Sequence, residues 1–120
     1  GGYPVGDLWA LSGQTLEVSV VVPAGGAIVT LLAGASQIGP AAAPEVRFEV
    51  DALVVGTFVV PGTAAALQPT AFAVDLTAGP HTLRYVSTNF VNDAVANTSN
   101  NVLVHSVLVE STERIASAAS

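Results

Sequence analysis

Apolar and polar positions alternate along most of this chain with a period of two, and no stretch of useful length follows a helical period. In 15-TLEVSVVVP-23, Leu16, Val18, Val20 and Val22 share one face while Glu17 and Ser19 take the other. That is the pattern of a strand with one side buried. The run 45-EVRFEVD-51 alternates most cleanly: Val46, Phe48 and Val50 point inward, and Glu45, Arg47, Glu49 and Asp51 outward. Asp51-Ala52 then forms a short turn into 53-LVVGTFVV-60, which predicts a hairpin. Further strands are predicted over 71-AFAVDL-76, 81-HTLRYVS-87 and 102-VLVHSVLVE-110. Between the first two of these, 77-TAGP-80 is a turn, with Gly79 able to take positive φ and Pro80 fixing φ. Strands following each other across short turns predict an all-β, antiparallel jelly-roll sandwich. A single domain is expected over residues 1–114, with an unpatterned tail at 115–120.

One strand departs from the alternation. In 27-AIVTLLAGA-35 both faces are apolar in either register, so cover is expected on both sides. The small-residue and Pro-rich stretches 33–44 and 61–70 read as loops.

Composition narrows the classes. Hydrophobic residues make up 51% and charged residues 10% of the 120 positions, against a usual charged share of about 25%. Such a chain buries a core and is not disordered. Nine acidic residues and three basic ones, all Arg, give a net charge of −6. That inventory cannot build a basic patch, so neither nucleic acid nor an anionic membrane is an expected partner. The uncharged run 19–44 is interrupted by Pro23, Gly25 and Gly26 and predicts no membrane span. The absence of Cys excludes disulfides, thiolate metal sites and thiol chemistry. It also fits an exported chain, and an extracellular location is the expectation.

Lys is a common guard of free sheet edges, and the chain has none. With the doubly apolar strand, this predicts a homo-oligomer or filament built by strand addition, the chain serving as a structural subunit of a filament or surface layer. Val29, Leu31, Tyr3 and Trp9 are the expected assembly surface, with residues 1–10 packing on a neighbour.

Four stretches, in order, resemble one family. They are 16-LEVSVVVPAGGAIVTLLAGAS-36; 46-VRFEVDALVVGTFVV-60, similar to a "V-D-G-x-x-V-G" hairpin with Ala52 in place of Gly; 74-VDLTAGPHTLRYV-86, similar to "D-L-x-A-G-x-H-x-L"; and 90-FVND-93 with 100-NNVLVHSVLV-109, similar to "F-x-N-D" and "D-R-N-L-Y-V-D". Together they resemble the calcium-dependent, xylan-binding carbohydrate-binding modules, which are small jelly-roll sandwiches. The resemblance implies a calcium loop in which Asp93 is a ligand, Asn101 matches the Asn of "D-R-N" and Asn92 braces the loop. Ser99 stands where the family has Asp, Asn100 where it has Arg, and His105 where it has a later Asp. With a carboxylate missing, the resemblance implies Ca2+ bound weakly or not at all. The alternative to the structural subunit is therefore a calcium-dependent polysaccharide-binding module of a larger secreted protein.

Catalysis is not expected. Neither His81 nor His105 neighbours a nucleophile elbow, and two His without Cys lack zinc spacing. Glu45, Glu49 and Asp51 form the wet face of a strand rather than a glycosidase pair. Asn97-Thr98-Ser99 makes Asn97 a glycosylation candidate.

Overall fold

The computed structural model describes residues 2–112; the tail expected at 115–120 lies outside them. The described residues contain no helix, and therefore none long and apolar enough to cross a membrane. In chain order the strands are β1 (Tyr3–Val5), β2 (Leu8–Leu11), β3 (Thr15–Val22), β4 (Gly25–Ile38), β5 (Glu45–Val50), β6 (Leu53–Val59), β7 (Gly62–Thr63), β8 (Ala66–Leu76), β9 (Gly79–Ser87), β10 (Asn92–Asp93) and β11 (Thr98–Ser111). One sheet runs β1-β2-β11-β4-β7-β8, with β10 on β11, and the facing sheet runs β3-β9-β5-β6. The architecture is the jelly-roll β-sandwich that the alternation predicts.

The two inner faces supply the core. Val29 and Leu31 of β4, Val46 and Phe48 of β5, Leu83 and Tyr85 of β9 and Val102 of β11 are almost wholly buried. Phe48 stacks between Tyr85 and Phe72, with ring centroids 4.8 and 5.2 Å away. Burial of side chains this large contributes about 1.5–3 kcal/mol each. Val29 and Leu31 are thus core residues and not an assembly surface. The register of β4 turns them inward and leaves Ile28, Thr30 and Leu32 half-buried on the outer side.

Several boundaries differ from the sequence reading. β4 continues through the expected loop to Ile38, and β8 begins at Ala66. Small residues carry no alternation but extend a strand well. At Gly34 the backbone of Thr63 crosses β4 so closely that a Cβ would collide with it. Residues 3–11 form two further strands that join the chain's own sheet, β2 pairing with β11. The chain itself therefore takes up the N-terminal segment that was expected to pack on a neighbour.

Glu49 is also not on a wet face. It is buried on the outer side of its sheet, where Arg47 Nε meets Glu49 Oε2 at 2.7 Å and Arg84 Nη1 meets Oε1 at 3.4 Å. Arg84 Nε extends the row to Glu17 Oε2 at 3.6 Å. Both described arginines are thus engaged by carboxylates of their own sheet.

Candidate functional site

Residues 88–100 close one end of the sandwich, beside the Ala- and Pro-rich segment 39–44, before β11 runs on through its sheet. That segment has no side-chain donors or acceptors of its own, so any side-chain hydrogen bond to its backbone comes from elsewhere in the chain. Two asparagines supply such bonds. Asn100, 2% exposed, accepts the Val91 N–H at Oδ1 (2.7 Å) and donates from Nδ2 to the carbonyls of Ala42 and Asn89, both at 3.1 Å. Asn89 accepts the Glu45 N–H at Oδ1 (2.7 Å) and donates from Nδ2 to Ala43 O (3.0 Å). Asn100, rather than Asn92, is the residue that braces the loop. Asn92 is exposed on the short strand β10.

Asp93 terminates the same strand. Its Oδ1 accepts the N–H groups of Val95 (3.0 Å) and Ala96 (3.1 Å), which makes it the capping residue of the 94–97 turn. Asn97, the glycosylation candidate, is exposed in that turn at φ 50°. Across the ladder Asn92 opposes Ser99 and Asp93 opposes Thr98. Opposed residues share a face and consecutive ones alternate, so Asp93 points away from the face that carries Ser99 and Asn101. Ser99 is buried, and Asn101 Oδ1 accepts the Ser12 hydroxyl at 2.7 Å. Because that hydroxyl proton is committed, Tyr3 OH donates to Ser12 Oγ at 2.9 Å. A calcium ion takes six to eight oxygens from one cluster. Asp93, Ser99 and Asn101 do not converge on one point, and among the described residues no group of three or more His, Asp or Glu gathers. This donor set does not fit a calcium cage. His105, matched to the family's later Asp, is exposed at an irregularity in β11, with Nδ1 3.1 Å from Ser106 Oγ.

The other end of the sandwich holds a group that the sequence reading did not assemble. His81 is in phase with Leu83 and Tyr85 on β9 and so faces inward, where it is buried. Its Nε2–H donates to Thr77 O at 2.7 Å, and Nδ1 lies 2.5 Å from Asp51 Oδ2. A carbonyl can only accept, and so can an ionised carboxylate, so the two contacts together favour the doubly protonated imidazolium over the neutral ring. The hydrogen bond to Asp51, then that to Thr77, raises the His81 pKa. In return the His81 bond, then the Thr82 N–H on Asp51 Oδ1 (2.9 Å), lowers that of Asp51. Asp51 and Ala52 both sit at positive φ, 50° and 69°, so the pair also anchors a tight turn of left-handed residues. Phase with Leu83 and Tyr85 was the available signal for burial of His81; nothing local to either residue announced the pairing. Beside it, between the sheets, opens a cavity of about 370 Å³ walled by Leu53, Val55 and Val74.

Large exposed rings are few: Tyr3 and Trp9 in the β1–β2 hairpin, and Phe90 against Gly13 at the loop end. No protein-family model and no curated protein matches the chain. Among solved structures it is similar to a family 35 carbohydrate-binding module from an environmental isolate, at 16% identity over 84% of this chain and 68% of that one, TM-score 0.57. It is likewise similar to a family 35 module from Clostridium thermocellum, at 20% identity over 82% of this chain and 70% of that one, TM-score 0.54. A family 36 carbohydrate-binding module solved with calcium and xylotriose aligns at 17% identity over 85% of this chain and 77% of that one, TM-score 0.50. At such identities the likeness is one of fold: this chain has the jelly-roll sandwich that these modules share.

Proposed function

We propose that the chain is a non-catalytic polysaccharide-binding module of a larger secreted protein. The observation that supports it is the likeness in fold, over more than four-fifths of this chain, to modules described as carbohydrate-binding. The surface agrees with that reading. Both described arginines and Glu49 are tied to one another, and beside the exposed carboxylates the surface offers hydroxyls, amides and the rings of Tyr3, Trp9 and Phe90 as means of contact. A ring with an apolar body and a polar rim suits an uncharged sugar. Because Asp93, Ser99 and Asn101 do not form a calcium cage, binding in this reading does not pass through a metal.

Depletion assays on insoluble xylan and mannan, with and without a chelator, test it. Retention on at least one polysaccharide, unchanged by the chelator, is the expected result. No retention on any polysaccharide overturns the reading, and retention lost to the chelator overturns its metal-free form.

A further inference from the structure

The two outer faces of the sandwich differ in charge. On the β3-β9-β5-β6 sheet, Glu17, Arg84, Glu49 and Arg47 form one row of ion pairs across three strands. The outer face of the other sheet carries no charge toward the loop end. Leu11, Val102 and Ala35 oppose one another there and face the core, so Ser12, Asn101 and Ser36, one residue along each strand, face outward. By the same alternation Ala10 faces outward, and so does Tyr3 opposite it. One hydrogen-bonded chain orders this face. Tyr3 OH donates to Ser12 Oγ at 2.9 Å, Ser12 donates to Asn101 Oδ1 at 2.7 Å, and the Ser12 N–H is held by Gln14 Oε1. With Oδ1 occupied, the half-buried Asn101 keeps two Nδ2 hydrogens that meet no partner among the described residues. Tyr3 Oη has given up its proton and keeps lone pairs free to accept. The Tyr3 ring reaches from opposite Ala10 to Ser12, so it lies along the sheet, with 45% of the residue exposed.

We propose that this face is a subsite for one uncharged pyranose unit of a polysaccharide. The inference rests on the polysaccharide reading and adds where the sugar lies and which class is taken. Two neighbouring ring hydroxyls meet the pair, one donating to Tyr3 Oη and the other accepting from Asn101 Nδ2. The C–H face of the sugar lies on the Tyr3 ring. Because the Tyr3–Ser12–Asn101 chain is already made, little side-chain freedom is lost on binding. A uronate finds no cation among the described residues of this face, and the net charge of −6 opposes it further.

Titration with xylohexaose, mannohexaose and hexagalacturonate tests it. Binding of at least one neutral hexaose, and not of the galacturonate, is expected. Tyr3→Ala lowers that affinity by about three- to tenfold. Asn101→Asp, which keeps the acceptor for Ser12 and replaces the donor by a charge, lowers it as well. Ser19→Ala, on the opposite outer face, leaves it unchanged. Should Tyr3→Ala or Asn101→Asp fail to fold, wild-type amide shifts decide, and those of Tyr3, Ser12, Ser36 and Asn101 move most on adding the hexaose. A wild type that binds a neutral hexaose while both variants match it, or whose shifts lie elsewhere, overturns this site and leaves the polysaccharide reading standing. Equal binding of the galacturonate overturns the uncharged class. Binding of none of the three overturns the site, and where no insoluble polysaccharide retains the chain either, the polysaccharide reading falls with it.

Discussion

Where residues 39–44 meet 88–100, two neutral amides close the end of the sandwich, whereas at the far end of β5 the same task falls to one ion pair. The difference follows from what each end lacks. The loop end consists of Ala- and Pro-rich chain whose backbone needs donors and acceptors at several points, and an Asn supplies both kinds at any pH. The hairpin end must hold Asp51 and Ala52 at positive φ, and a charged hydrogen bond from His81 fixes that turn at one point. One end is therefore sensitive to loss of a side chain and the other to protonation.

The sharpest way to break this comparison is at Asn100. Asn100→Ala leaves the Val91 N–H and the carbonyls of Ala42 and Asn89 without partners. At about 1 kcal/mol for each lost bond, the variant is destabilised by about 3 kcal/mol, with no dependence on pH. Urea denaturation at two pH values measures it. A loss below about 1 kcal/mol would mean that water replaces the amide and that the loop end is not held in this way.

How much of this was legible beforehand depends on the residue. β3, β5, β9 and most of β11 follow from alternation, because each turns one face of β-branched or aromatic residues toward the core, and β6 follows from the Asp51-Ala52 turn before it. The second half of β4 was hidden, since Ala33, Gly34 and Ala35 read alike in strand and loop. Glu49 was assigned to the solvent because β5 alone does not reveal that β9 brings Arg84 alongside. Asn100 was read through a family pattern as the counterpart of an Arg; its burial depends on where segment 39–44 passes, which no local feature of 98–101 encodes. The candidate site was the least legible part, because its residues act through backbone partners distant in sequence.

A smaller effect, confined to a pH window, separates the two ends. His81 has a raised pKa, so its contribution is complete below the ordinary value of 6.5 and is lost as pH rises through the folded-state pKa. Asp51 has a lowered one, so its contribution is complete above the ordinary value of 3.8 and is lost as pH falls through its folded-state pKa. Between those ordinary values the pair contributes fully. The difference in Tm between wild type and His81→Gln is accordingly flat across the window and shrinks on the alkaline side. A difference that does not change with pH would remove the imidazolium from the account.

The smallest effect belongs to Asp93, whose two accepted N–H bonds lie in an exposed turn. Asp93→Ala costs about 1 kcal/mol, as loss of a comparable capping side chain does. Asp93→Asn keeps an oxygen in the same place and costs less. Calcium sharpens the point, because a ligand that binds only the folded state raises Tm in proportion to the logarithm of its concentration. Without a cage, calcium leaves wild type and Asp93→Asn with the same Tm as in chelator. If it stabilises the wild type alone, Asp93 is a ligand after all, and the turn it caps must open to bring Ser99 or Asn101 round to the same face.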